Sequence, residues 1–60
     1  MTHYEIWDDA AGSKVHEAMP EAEAKAYARE HDPKSERLFL EDARGNQIVW
    51  NPHLRVWEEA

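Results

Sequence analysis

Cysteine is absent from this chain of 60 residues, so it can build neither a disulfide framework nor a thiolate metal site, and the usual staples of small secreted domains are missing. A reducing, cytoplasmic setting is the expectation. Basic residues are also scarce. Seven Lys and Arg stand against thirteen Asp and Glu, a formal charge of −6 that opposes binding to phosphate backbones and anionic bilayers. Neither nucleic acid nor membrane is expected as a direct partner. No apolar run approaches the roughly 18 residues of a membrane span, and the segment Met1-Thr2-His3-Tyr4-Glu5 lacks the basic leader and apolar core of an export signal.

Glycine occurs only at Gly12 and Gly45, each alone, which excludes a glycine-rich phosphate loop. Ser13 and Ser35, the only serines, stand outside any nucleophile-elbow context. His3, His16, His31 and His53 form no short ligand motif, so no metal or other cofactor is expected. Carboxylates are plentiful at Asp8-Asp9, Glu41-Asp42 and Glu58-Glu59, but they fall at turns and at the end of the chain. Exposed carboxylates there lack the burial that would raise a pKa for acid catalysis. A non-enzymatic protein is the reading that follows.

What is present is turn chemistry, repeated. Asp9-Ala10-Ala11-Gly12-Ser13 and Asp42-Ala43-Arg44-Gly45-Asn46 each place an Asp ahead of a Gly between β-prone segments. That is the signature of a type I turn closed by a glycine at positive φ with a G1 bulge. In the first hairpin, setting Asp9 opposite Ser13 pairs Asp8 with Lys14, Trp7 with Val15, Ile6 with His16, Glu5 with Glu17 and Tyr4 with Ala18. The Glu5/Glu17 pair opposes like charges. In the second, Asp42 opposite Asn46 pairs Glu41 with Gln47, Leu40 with Ile48, Phe39 with Val49 and Leu38 with Trp50, which sorts apolar and polar residues cleanly by face.

Between the hairpins, residues 20 to 31 read as a helix. Pro20 suits the first helical position, Glu21 and Glu23 the first turn, and Arg29 and His31 the last. Its apolar stripe, Pro20, Ala24, Tyr27, Ala28 and His31, is thin and rich in alanine, so large side chains from a sheet must fill the space beside it. Asp32-Pro33-Lys34-Ser35 ends the helix and forms the linker. After Asn51-Pro52 a turn and a short fifth strand through Val56 and Trp57 are favoured over a terminal helix, which the closing glutamates would oppose through its dipole.

The expected fold is therefore one small α+β domain over residues 1 to 60, a β-hairpin, helix, β-hairpin order (ββαββ) with a short fifth C-terminal strand, and one helix on one face of a four- to five-stranded sheet. This order is similar to the β-grasp architecture of ubiquitin-like and immunoglobulin-binding domains. The resemblance implies first and last strands side by side in the centre of the sheet. A simple meander and a sheet continued across a dimer are the alternatives.

Both registers leave an apolar cross-strand pair on the face away from the helix: Trp7 with Val15, and Phe39 with Val49. Trp57 is expected to join them, while Trp50 shares the core face with Leu38, Leu40 and Ile48. An apolar patch of this kind marks an interaction surface. The functional expectation is a small acidic protein-binding module, either a homodimer or an accessory protein of a larger partner, that uses Trp7, Val15, Phe39, Val49 and Trp57. The alternative is an acidic nucleic-acid mimic that occupies a DNA- or RNA-binding protein through Asp8, Asp9, Glu41, Asp42, Glu58 and Glu59.

Overall fold

A computed structural model describes residues 2–9 and 12–60; Ala10 and Ala11 of the first turn lie outside the described residues. In chain order the elements are β1 (His3–Asp8), β2 (Ser13–Pro20), α1 (Glu21–His31), β3 (Leu38–Asp42), β4 (Gln47–Asn51) and β5 (Val56–Glu59). The strands form one five-stranded sheet in the order β2-β1-β3-β4-β5, antiparallel at every junction.

The fifth strand is present, but the β-grasp arrangement is not. There β1 and the last strand would be neighbours; here β1 lies between β2 and β3, and β5 is an edge strand. The short turn after β4 returns the chain directly alongside β4, which leaves β5 no reach to the centre. The helix and its linker instead carry the chain past β1 to begin β3. Pro20 also differs from expectation. It closes β2 in an extended conformation, φ −54° and ψ 149°, and the helix begins one residue later at Glu21.

The second hairpin has the expected register, Phe39 opposite Val49, Leu40 opposite Ile48 and Glu41 opposite Gln47. Gly45 adopts φ 87° and its N–H donates to the Asp42 carbonyl at 3.1 Å. The Asp42 carboxylate holds the turn from inside: Oδ1 accepts from the backbone N–H of Arg44 and Asn46, both at 2.9 Å, and Oδ2 accepts from Asn46 Nδ2 at 3.1 Å. These bonds, led by Asn46, hold the Asp42 pKa below its usual value.

The first hairpin departs from the expected register. Gly12 does take a positive φ of 71°, but Asp8, not Asp9, stands opposite Ser13, Trp7 stands opposite Lys14, and Tyr4 opposite Met19; only Ile6 with His16 is as expected. The ladder shifts twice, between Tyr4 and Ile6 and again between Ile6 and Trp7, each time with one residue more on β2 than on β1. These are bulges. Across the first bulge Glu5 faces Glu17 and Ala18 together, and the Lys14 ammonium relieves the like charges, 3.2 Å from a Glu5 oxygen and 3.0 Å from a Glu17 oxygen. Both carboxylates raise the Lys14 pKa.

Tyr4, Ile6, Leu38, Leu40 and Trp50 from the sheet form one buried cluster with Ala24 and Ala28 of the helix. Alternation along β1 and β3 sends these side chains to one face and Trp7 and Phe39 to the other. Of the expected helical stripe only the two alanines are buried; Tyr27 is largely exposed and its ring lies 4.7 Å from that of His16. The linker is tied to the sheet by two bonds. Trp50 Nε1 donates to the Pro33 carbonyl at 2.9 Å, and the Ser35 hydroxyl donates at 3.1 Å to the carboxylate of Asp8, which is 3% exposed.

Candidate protein-binding surfaces

Three of the residues expected to form a contact patch stand together. The pairings Lys14/Trp7, Trp7/Phe39, Phe39/Val49 and Val49/Glu58 chain into a single row across all five strands, on the side opposite the buried cluster. The Trp7 and Phe39 rings lie nearly parallel, 6° apart with centroids at 6.4 Å. All three apolar members are half-buried by their neighbours on the sheet. The row has a cation at one end, Lys14, and an anion at the other, Glu58. Glu5 and Glu41 flank it on adjacent strands, and Gln47 Nε2 donates to Glu41 at 2.9 Å. Trp7 Nε1 is buried with no hydrogen-bond partner among the described residues, an arrangement that native structures rarely leave without a reason.

Val15 and Trp57 are elsewhere. Val15 is the surplus residue of the bulge between Ile6 and Trp7, and the bulge turns it to pack against the buried cluster. Trp57 stands opposite Trp50, so its ring points to the same side and meets that of Trp50 at 5.1 Å and 55°. The loop between β4 and β5 fixes this. Asn51 Oδ1 accepts from the backbone N–H of His53 and Leu54, each at 3.0 Å, and the Arg55 N–H donates to the Asn51 carbonyl at 2.7 Å. That loop length puts Trp57 rather than Val56 over the core. The outer patch is accordingly a stripe of Trp7, Phe39 and Val49, narrower than the five residues expected.

A second surface was not anticipated from sequence. The helix lies near β1, β2 and β3, and beside it the structure has a groove of about 500 Å³. Tyr4, Ile48 and Trp57 supply its apolar walls, Glu21 and Lys25 line it from the helix, and Asp42 and Glu59 line it from the sheet. Lys25 is engaged with Glu21 at 3.4 Å. Burial first, then the charge of Glu21 and a hydrogen bond with it, then Asp42 and Glu59, push the Tyr4 pKa up, so the phenol stays neutral at the floor of an electronegative groove. The signal for it in the sequence was the alternation of Trp57 and Glu59, legible only once the register is known.

The carboxylates of the mimic reading are mostly engaged. Asp8 is buried against Ser35, Asp42 spends both oxygens on its turn, Glu41 accepts from Gln47 and Glu58 from Asn51 Nδ2 at 3.0 Å. His53 lies 3.3 Å from Glu36 at an exposed position, and among the described residues no group of three or more His, Cys, Asp and Glu is placed to hold a metal ion. No protein-family model, curated protein or solved structure matches the chain.

Proposed function

We propose that the protein is a small, acidic, non-enzymatic protein-binding module of a reducing, cytoplasmic compartment, with its helix packed over the Tyr4, Ile6 and Leu40 face and its opposite sheet face free to bind a larger protein. One observation carries the reading: Trp7, Phe39 and Val49 form a continuous apolar row on the side away from the buried cluster. Aromatic residues are enriched at the energetic centres of interfaces, and an apolar stripe between charged ends gives a partner both an anchor and an orientation.

The test is affinity capture with the tagged protein and with a Trp7→Thr, Phe39→Thr double variant, at low and raised salt. Threonine keeps the β propensity of both positions. A partner that is retained at raised salt and lost by the double variant supports the reading. Capture that survives the double variant and collapses with salt would instead favour the nucleic-acid mimic, whose contacts are charges. Sedimentation of the pure protein separates a partner protein from a second copy of the chain.

A further inference from the structure

We infer that the open edge of β5, together with the groove beside it, docks an extended basic segment of a partner chain as a sixth strand. The inference takes its class of partner from the reading above and uses a different surface.

The two edges of the sheet are built differently. β2 carries two bulges, which break up and twist its free edge, a known defence against strand addition. β5 pairs with β4 in unbroken register from Asn51/Val56 to Ile48/Glu59. The Ala60 N–H donates to the Gln47 carbonyl at 3.2 Å. By antiparallel alternation the hydrogen-bonded pairs are then those of Glu58 and Val56, and the N–H and C=O groups of Trp57 and Glu59 face outward. They are main-chain groups in strand geometry that an added strand can pair.

Charge selects the occupant. Glu58 projects to the outer face beside Val49, and Glu59 projects to the helix side beside Ile48. The free edge therefore carries an anion on each face. A second copy added antiparallel along β5 with Glu58 opposite Glu58 would bring four glutamates together, and like charges across a ladder destabilise it. An extended segment meets the opposite charge on whichever face carries its arginines or lysines. On the helix side its side chain enters a groove whose charged lining is Glu21, Asp42 and Glu59 against Lys25 alone. There the exposed part of Trp57 offers an aromatic face on which a guanidinium can stack. The occupant is thus a basic, extended peptide segment, recognised through main-chain bonds by Trp57 and Glu59 and through side chains by Glu58, Glu59 and the Trp57 ring.

The experiment titrates the full chain with a capped synthetic peptide of alternating arginine and valine, followed by amide and indole NMR shifts. Saturable shifts are expected at Val56, Trp57, Glu58 and Glu59 and at the Trp57 indole. Glu59→Lys, an exposed position, should weaken binding on the order of tenfold, and a peptide N-methylated at alternate residues should lose it by losing the main-chain bonds. The Trp7→Thr, Phe39→Thr variant should bind normally, so this inference and the outer-face reading fail separately. Equal binding by the N-methylated peptide or by an alternating glutamate and valine peptide, shifts confined to Trp7, Phe39 and Val49, or no saturable shift at all would each overturn it.

Discussion

A single backbone angle tests the loop that delivers β5. Arg55 has φ 58° and is the one non-glycine among the described residues at positive φ. A Cβ in the left-handed region costs roughly 1–2 kcal/mol. Glycine escapes that cost but loses about 0.5–1 kcal/mol more chain entropy on ordering. Comparing Arg55→Gly with Arg55→Ala removes the arginine side chain from both, so the difference isolates the angle: glycine should be the more stable by up to about 1.5 kcal/mol, centred on about 0.75 kcal/mol. In a domain of this size 1 kcal/mol corresponds to about 4–8 °C in Tm, a separation that thermal and urea unfolding followed by circular dichroism resolves readily. The urea m-value should be the same for both variants, because no surface is newly exposed. Arg55→Val, β-branched, should fall below both. An alanine variant more stable than the glycine variant would refute the left-handed turn, and with it the register that sets Trp57 on Trp50 and Glu58 beside Val49.

The face assignment is tested by neighbours on one strand. Leu40→Ala, at a fully buried position, should cost about 2–5 kcal/mol, a large share of the roughly 3–9 kcal/mol that a chain of this length is expected to have, whereas Phe39→Thr on the outer row should cost distinctly less in the same urea titration; the reverse order would exchange the two faces. Acid should act through the second turn: because the folded pKa of Asp42 is lowered from 3.8, its contribution is present above that pH and is lost as pH falls through the folded value, so the stability gap between wild type and Asp42→Asn should close in acid, and a gap that stays constant would refute it. Alkali should act through the groove, since the folded Tyr4 pKa is raised from 10.0 and the stabilisation it brings is complete below that value and declines above it. The phenolate absorbance missing from a Tyr4→Phe variant should therefore develop above pH 10.0, and its development at or below that value would count against the buried phenol.

The second hairpin was legible because one reading alone satisfied both its turn and its faces: a single Asp precedes the turn, and only the bulged register keeps Leu38, Leu40, Ile48 and Trp50 together. The first offered Asp8 and Asp9 as rival turn residues, and Lys14-Val15-His16-Glu17-Ala18 has no clean alternation to choose between them. The bulges that settle the matter answer to groups far away in sequence: Val15 reaches the core, and Lys14 lies between Glu5 and Glu17. Trp57 was misplaced for a related reason. Its face depends on the number of residues in the loop after Asn51, which is decided by the side-chain bonds of Asn51 rather than by any pattern in β5. Strand order was the least legible feature, because the position of β3 beside β1 is a long-range pairing that local propensity does not encode. What survived into the outer surface, Trp7, Phe39 and Val49, comes from β1, β3 and β4, the three inner strands, whose pairings with one another are unbroken.

The charged ends of the outer row bear on what can cover it. A second copy stacked face to face with its row reversed would set Lys14 against Glu58 and Phe39 against Phe39, which is favourable, but the same two-fold would set Glu41 against Glu41 one position along β3. Lys14 is already held by Glu5 and Glu17, so it has little charge left to offer the copy, and each copy brings a formal −6 to a contact whose apolar part is three side chains wide. A partner that places cations over Glu41 and Glu58 keeps the aromatic contact without the repulsion. The acidic residues around both surfaces thus act in the same direction. They weaken pairing of the chain with itself in these two arrangements, across the outer row as along the β5 edge.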